Sequence, residues 1–84
     1  MVELTVRYFA GARAASGTPD ENLALPAGAT VATALTAIET RHDERLARVL
    51  KACSFLLDGV AVRDHATPIP AGARLDVLPP FAGG

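Results

Sequence analysis

One cysteine in 84 residues leaves no partner for an intramolecular disulfide and excludes a cysteine-rich zinc site. A lone thiol fits a reducing compartment. Neither charge sign dominates: eight basic residues stand against nine acidic ones, with no run of either. A chain that binds nucleic acid needs a basic stripe, so the reading is no nucleic-acid partner. No apolar run approaches the length that crosses a bilayer, and no signal-peptide pattern opens the chain. The expectation is a soluble cytoplasmic protein with no membrane partner. Conventional active-site groups are also scarce. Gly11, Gly17, Gly28, Gly59 and Gly72 are scattered over turn and cap positions rather than gathered in a phosphate-cradling loop. The acids are dispersed and specify neither a carboxylate dyad nor a metal cluster, so no bound cofactor and no metal are expected.

What is present is a small apolar core. Half the residues are apolar, but 17 of those 42 are alanine; Leu, Val, Ile and Phe together number 22. That is enough to place the chain above the disordered compositions, as one domain with a thin core that buries about 60–65% of its unfolded surface. No repeat, low-complexity tract or linker divides it.

Val2, Leu4, Val6 and Tyr8 alternate with Glu3, Thr5 and Arg7, the period of a half-buried strand. Phe9 breaks the polar face; it either turns inward as the strand ends or stands on the outer face. Ala10 to Ser16 favours a helix that Gly17 caps, and Thr18-Pro19-Asp20 reads as a turn. Glu21 to Leu25 is a second strand, ended by Pro26-Ala27-Gly28. The strongest helix begins at the N-cap Thr30, carries Val31, Ala34, Leu35 and Ile38 on one stripe, and ends near Arg41-His42; at roughly 18 Å it can cross one face of a small sheet. Asp43 caps a shorter helix with Leu46, Val49 and Leu50 inward. Cys53–Leu57 and Val60–Arg63 are strands joined at Asp58-Gly59, where both turn positions tolerate positive φ. Pro68 to Gly72 is a loop, and Arg74–Leu78 alternates again, with Leu75 and Val77 inward and Leu78 not. The order implies an α+β roll: a mixed sheet of about five strands, one main helix across it, and the first and last strands side by side at its centre.

Among side chains with chemistry, His42 lies in Arg41-His42-Asp43, most simply a solvated helix end, and His65 lies in a loop beside Asp64. A His–Asp pair can orient a base, but no nucleophile is placed near either. Lys51 can lower the thiol pKa of Cys53, yet a cysteine opening an apolar strand is more simply packing.

The tail is different. After Leu78 the chain runs Pro79-Pro80-Phe81-Ala82-Gly83-Gly84. Pro79 and Pro80 stiffen the exit and end the strand's supply of backbone donors. Residues 79–84 reach at most about 20 Å. They form a slender probe that enters a narrow partner site where a bulkier end would clash. A glycine carboxylate is unhindered; joined to AMP it becomes an acyl adenylate that a sulfur nucleophile attacks, with no catalytic side chain required in this chain. The division is therefore 1–78 as the folded domain and 79–84 as the tail.

Phe9-Ala10-x-x-Arg13-x-x-x-Gly17, Pro70-Ala71-Gly72 and Leu78-Pro79-Pro80-Phe81-Ala82-Gly83-Gly84 together resemble the ubiquitin-like sulfur carriers, and within them the small subunit of molybdopterin synthase. The resemblance covers nearly the whole chain. It implies a β-grasp fold and no independent active site. It further implies that an E1-like enzyme uses ATP to adenylate Gly84, that a sulfur donor (a sulfurtransferase) converts it to a thiocarboxylate, and that the tail delivers sulfur to a pterin precursor in the large subunit, within a heterotetramer. The family's apolar docking patch corresponds to Phe9, Ala61 and Leu78. Ala61 is smaller than the family residue, so either the partner compensates or that contact is weaker. Arg13 matches the family arginine, which contacts a partner acid or is a solvated helix arginine. Carriers for thiamine or cysteine synthesis share the tail chemistry, although the shorter thiamine carriers usually lack the first helix. A ubiquitin-like binding module whose tail is never activated is the remaining alternative, with an enzyme built on Cys53 the weakest.

Overall fold

The structure is a computed structural model that describes residues 1–80. Phe81, Ala82, Gly83 and Gly84, on which the sequence places the reactive end, lie outside the described residues.

The chain forms β1 (Val2–Tyr8), α1 (Ala10–Ser16), β2 (Asp20–Leu25), α2 (Val31–Arg41), α3 (Glu44–Leu50), β3 (Ser54–Leu57), β4 (Val60–Ala61) and β5 (Ala73–Leu78). The sheet order is β2-β1-β5-β3-β4. β1 and β5 are parallel neighbours, side by side as expected from the sequence, and the other pairs are antiparallel. Leu4, Val6, Tyr8, Leu75 and Val77 point to one side, where they meet Val31, Ala34 and Ile38 of α2 and Leu46 and Leu50 of α3 in a single core. Among the described residues three helices are present rather than one main helix alone, but α1 and α3 are only seven residues each, and α2 is the long element.

Local chemistry sets the boundaries. The Thr30 hydroxyl accepts the Thr33 N–H at 3.3 Å while the Thr33 hydroxyl accepts the Thr30 N–H at 3.1 Å, closing both ends of a capping box at α2. Asp43 caps α3 through the N–H groups of Arg45 and Leu46. Asp58 and Gly59 sit at φ 49° and 82°, and the Asp58 carboxylate accepts the Arg74 N–H at 2.9 Å, which fixes the β3–β4 turn against β5. β4 is shorter than its sequence suggests. The Val62 N–H donates to the Phe55 carbonyl at 2.9 Å, but residues 62–63 are no longer strand, and Val62 packs against the core instead.

His42 is a correction. It is not a solvated helix end: its side chain is 15% exposed, and its Nε2 lies 2.5 Å from Glu21 Oε2. The register explains this. Glu21 pairs with Val6, which places it on the helix-facing side of the edge strand, under the C-terminus of α2. The Tyr8 hydroxyl donates to the same carboxylate, and Arg41 Nε reaches its other oxygen at 3.2 Å.

Candidate functional site

The face of the sheet away from the helices is open, and the register lines up its residues. Asp20, Arg7, Asp76, Leu56 and Ala61 are successive partners in one row across all five strands. The next row, toward the exit of the chain, holds Phe9, Leu78 and Ser54, with the Phe9 N–H donating to the Val77 carbonyl at 3.2 Å. Phe9 therefore stays on the outer face, 37% exposed. The backbone turns sharply immediately after it: Ala10 adopts φ 48°, and α1 swings toward the helical side. Leu78 is half-buried on the outer face, as its place in the alternation predicts, whereas Leu75 and Val77 are fully buried on the other.

Three of the four expected docking residues, Phe9, Ala61 and Leu78, share this face. Arg13 does not: it is exposed on α1, beside Ala14, Gly17, Thr18 and Pro19, and its contribution is to a neighbouring surface. Sequence patterning alone misses Leu56, which pairs with Ala61 on one side and Asp76 on the other, one row from Leu78 on the same face. Its signal is an odd position in Phe55-Leu56-Leu57, but a strand that is apolar on both sides does not say which side is outer. Leu56 supplies the apolar surface that Ala61 lacks.

The centre of the face is charged. Arg7 grips Asp76 with two hydrogen bonds, Nε to Oδ1 at 2.8 Å and the second guanidinium nitrogen to Oδ2 at 3.2 Å, and Arg74 approaches the same carboxylate at 3.5 Å. Asp76 is only 5% exposed although it faces away from the core, because these arginines cover it. The hydrogen bond to Asp76 outweighs burial and, with the charges of Asp76 and Asp20, raises the pKa of Arg7. The Arg7 guanidinium also lies 5.4 Å from the centre of the Phe9 ring. Asp76 and Asp20 against Arg7 and Arg74 balance the charge of this part of the face, which is bordered by Phe9, Leu78 and Leu56.

Other candidates stay apart from it. Cys53 is half-buried just before β3; its thiol donates to the Val49 carbonyl at 3.2 Å, and burial pushes its pKa up, the reverse of activation by Lys51. His65 is exposed and packs edge-on to Phe55 at 5.8 Å. Among the described residues no group of His, Cys, Asp and Glu could hold a metal ion, and no helix is long and apolar enough to cross a membrane. Pro79 is half-buried and Pro80 exposed where the chain leaves β5, at the edge of the Phe9–Leu78 row.

A mixed sheet with parallel β1 and β5 at its middle and α2 across one face is the ubiquitin-like β-grasp. The ThiS family matches residues 6–84, and the chain belongs to that family, among the ubiquitin-like sulfur carriers. A putative molybdopterin converting factor subunit 1 from Pyrococcus furiosus is 26% identical, with a TM-score of 0.87 over 96% of this chain and 100% of its own. The small archaeal modifier protein 1 from Methanosarcina acetivorans is 25% identical, with a TM-score of 0.84 over 100% and 98%. The complex of subunits 1 and 2 of molybdopterin-converting factor from Helicobacter pylori, 24% identical with a TM-score of 0.71 over 99% and 100%, shares the fold. No curated protein matches the sequence significantly.

Proposed function

We propose that the chain is the sulfur-carrying subunit of a molybdopterin synthase, with the main-chain carboxyl of Gly84 as its reacting group. An E1-like enzyme joins that carboxyl to AMP with release of pyrophosphate. A sulfur donor displaces AMP and leaves a thiocarboxylate. The tail from Pro79 onward then carries the sulfur into the large subunit, where a pterin precursor takes it. The domain contributes the apolar patch of Phe9, Leu78, Leu56 and Ala61 for docking, and the charged Arg7–Asp76–Arg74 group beside it for orienting the partner. Arg13 adds a contact on α1. The chain needs no resident cofactor for this; ATP is consumed by the activating enzyme.

The observation that carries the reading is that the family match runs through to residue 84 and so includes Gly83-Gly84. The α1 segment after Phe9 and the likeness to a converting factor subunit 1 favour the molybdenum-cofactor acceptor over thiamine or cysteine synthesis. Reconstitution with the large subunit tests it. Removing Gly84 should leave the fold intact and abolish sulfur transfer to the pterin precursor. Transfer by the shortened chain would reject the reading, and transfer only to a thiamine or cysteine precursor would reassign the acceptor.

A further inference from the structure

Among the described residues the sheet ends on β2 at one side and on β4 at the other. β4 is two residues long and β2 is six, so β2 is the longer open edge. Which of its backbone groups face outward follows from one hydrogen bond. The Tyr8 N–H donates to the Pro19 carbonyl at 2.8 Å, so the ladder with β1 is bonded there and at every second pair beyond: Val6–Glu21, Leu4–Leu23 and Val2–Leu25. Asp20, Asn22 and Ala24 therefore turn their N–H and C=O groups away from β1, toward the open side. Two of these carbonyls are taken by side chains of the same chain. The Thr18 hydroxyl donates to the Asp20 carbonyl at 2.8 Å, and Arg41 Nη1 donates to the Asn22 carbonyl at 3.2 Å. Arg41 is held in place by its own Nε, 3.2 Å from Glu21 Oε1. Bare strand edges recruit other strands, and covering the edge prevents it.

We propose that β2 is a pairing edge for a second copy of this chain, in an antiparallel register centred on Asn22, and that Arg41 is the gate that holds it closed. Charge and proline choose the register. Centred on Asn22, that residue faces its own counterpart and Asp20 faces Ala24 of the second copy. Every outward N–H and C=O of the three residues then has a partner, and no like charges are opposed. Shifted one step, the axis falls on Glu21 and sets it opposite a second Glu21. Shifted the other way, Asp20 faces Pro26, which has no N–H to give. The pairing presents the same surface from both copies, so it closes at a dimer. It extends the sheet sideways and leaves Phe9, Leu78 and Leu56 uncovered. Arg41 is the main obstacle, because its guanidinium lies on the open side at the acceptor nearest the two-fold axis. The contact is given up once in each copy, so its removal acts on association twice over.

Sedimentation equilibrium of the full chain over a concentration series tests this. Arg41→Ala should dimerise at least tenfold more tightly than the wild type. Adding Asn22→Pro should return it to the wild-type value, because proline there removes an outward N–H and no bond to β1. Amide exchange gives a second reading that needs no proline variant. In Arg41→Ala the amides of Asp20, Asn22 and Ala24 should slow as concentration rises. Association of Arg41→Ala no tighter than that of the wild type, association that survives in a folded Arg41→Ala, Asn22→Pro variant, or association with no slowing at these amides would each overturn it.

Discussion

Leu56 stands directly across from Ala61 on the outer side of the sheet, so the bulk missing at one position is present at its neighbour. On a single face, cross-strand pairs behave as one surface. A large apolar residue at 56 beside a small one at 61 continues the apolar patch of the proposed docking surface from Leu78.

Leu56→Lys should therefore weaken binding of the large subunit at least tenfold, about 1.4 kcal/mol, while the domain stays folded. Phe9→Lys should do the same. Titration calorimetry with circular dichroism on the free variant separates the effects. An unfolded variant would show that the residue serves the core, and unchanged affinity would remove it from the interface.

Asp76 holds two guanidiniums on the outer face. Asp76→Asn removes the carboxylate that joins Arg7 and Arg74 and leaves Arg7 with the charge of Asp20 alone. The half-exposed arginines are screened by water, so the expected loss is about 1–2 kcal/mol rather than the larger cost of breaking a fully buried pair. Urea unfolding at low salt measures it, and added salt should recover part of the loss.

Glu21 makes stability depend on acid. Burial works against its charge, but the hydrogen bonds from Tyr8 and His42 and the charges of His42 and Arg41 prevail, and its pKa is lowered below 4.5. A depressed carboxylate stabilises the fold above its unfolded value and loses that contribution as pH falls through the folded one. Unfolding free energy should fall below about pH 4.5 in the wild type and fall less steeply in Glu21→Gln. Equal slopes would place the acid sensitivity elsewhere. Tyr8→Phe should cost about 0.5–1.5 kcal/mol at neutral pH, because it removes one hydrogen bond and leaves Glu21 paired with His42 and Arg41.

Cys53→Ser should leave carrier activity unchanged in the reconstituted transfer assay, since the thiol is half-buried and its pKa is raised. Loss of transfer in a folded variant would show that the cysteine takes part in the chemistry.

Features set by neighbours along the chain are legible in the residues themselves. The alternation of Val2 to Tyr8 and of Arg74 to Leu78 places both strands at the middle of the sheet; Thr30 and Asp43 mark their helices; Asp58-Gly59 marks its turn. Features set by distant neighbours are not. His42 and Glu21 meet across 21 positions because β2 puts Glu21 on the inner face at a sheet edge, a consequence of its pairing with Val6 that no local pattern records. Leu56 presents the same difficulty: its side of the sheet follows from pairing with Asp76, and an apolar run carries no alternation to reveal that. For Phe9 the sequence leaves two placements open, and the turn at Ala10 decides between them.

The most direct measurement is the intact mass of the protein after incubation with its activating enzyme, ATP and a sulfur donor. Exchange of one oxygen for sulfur, mapped to Gly84 and lost with its removal, is the predicted result. An unchanged mass in the presence of an enzyme that demonstrably turns over ATP, or sulfur mapped to Cys53, would contradict it.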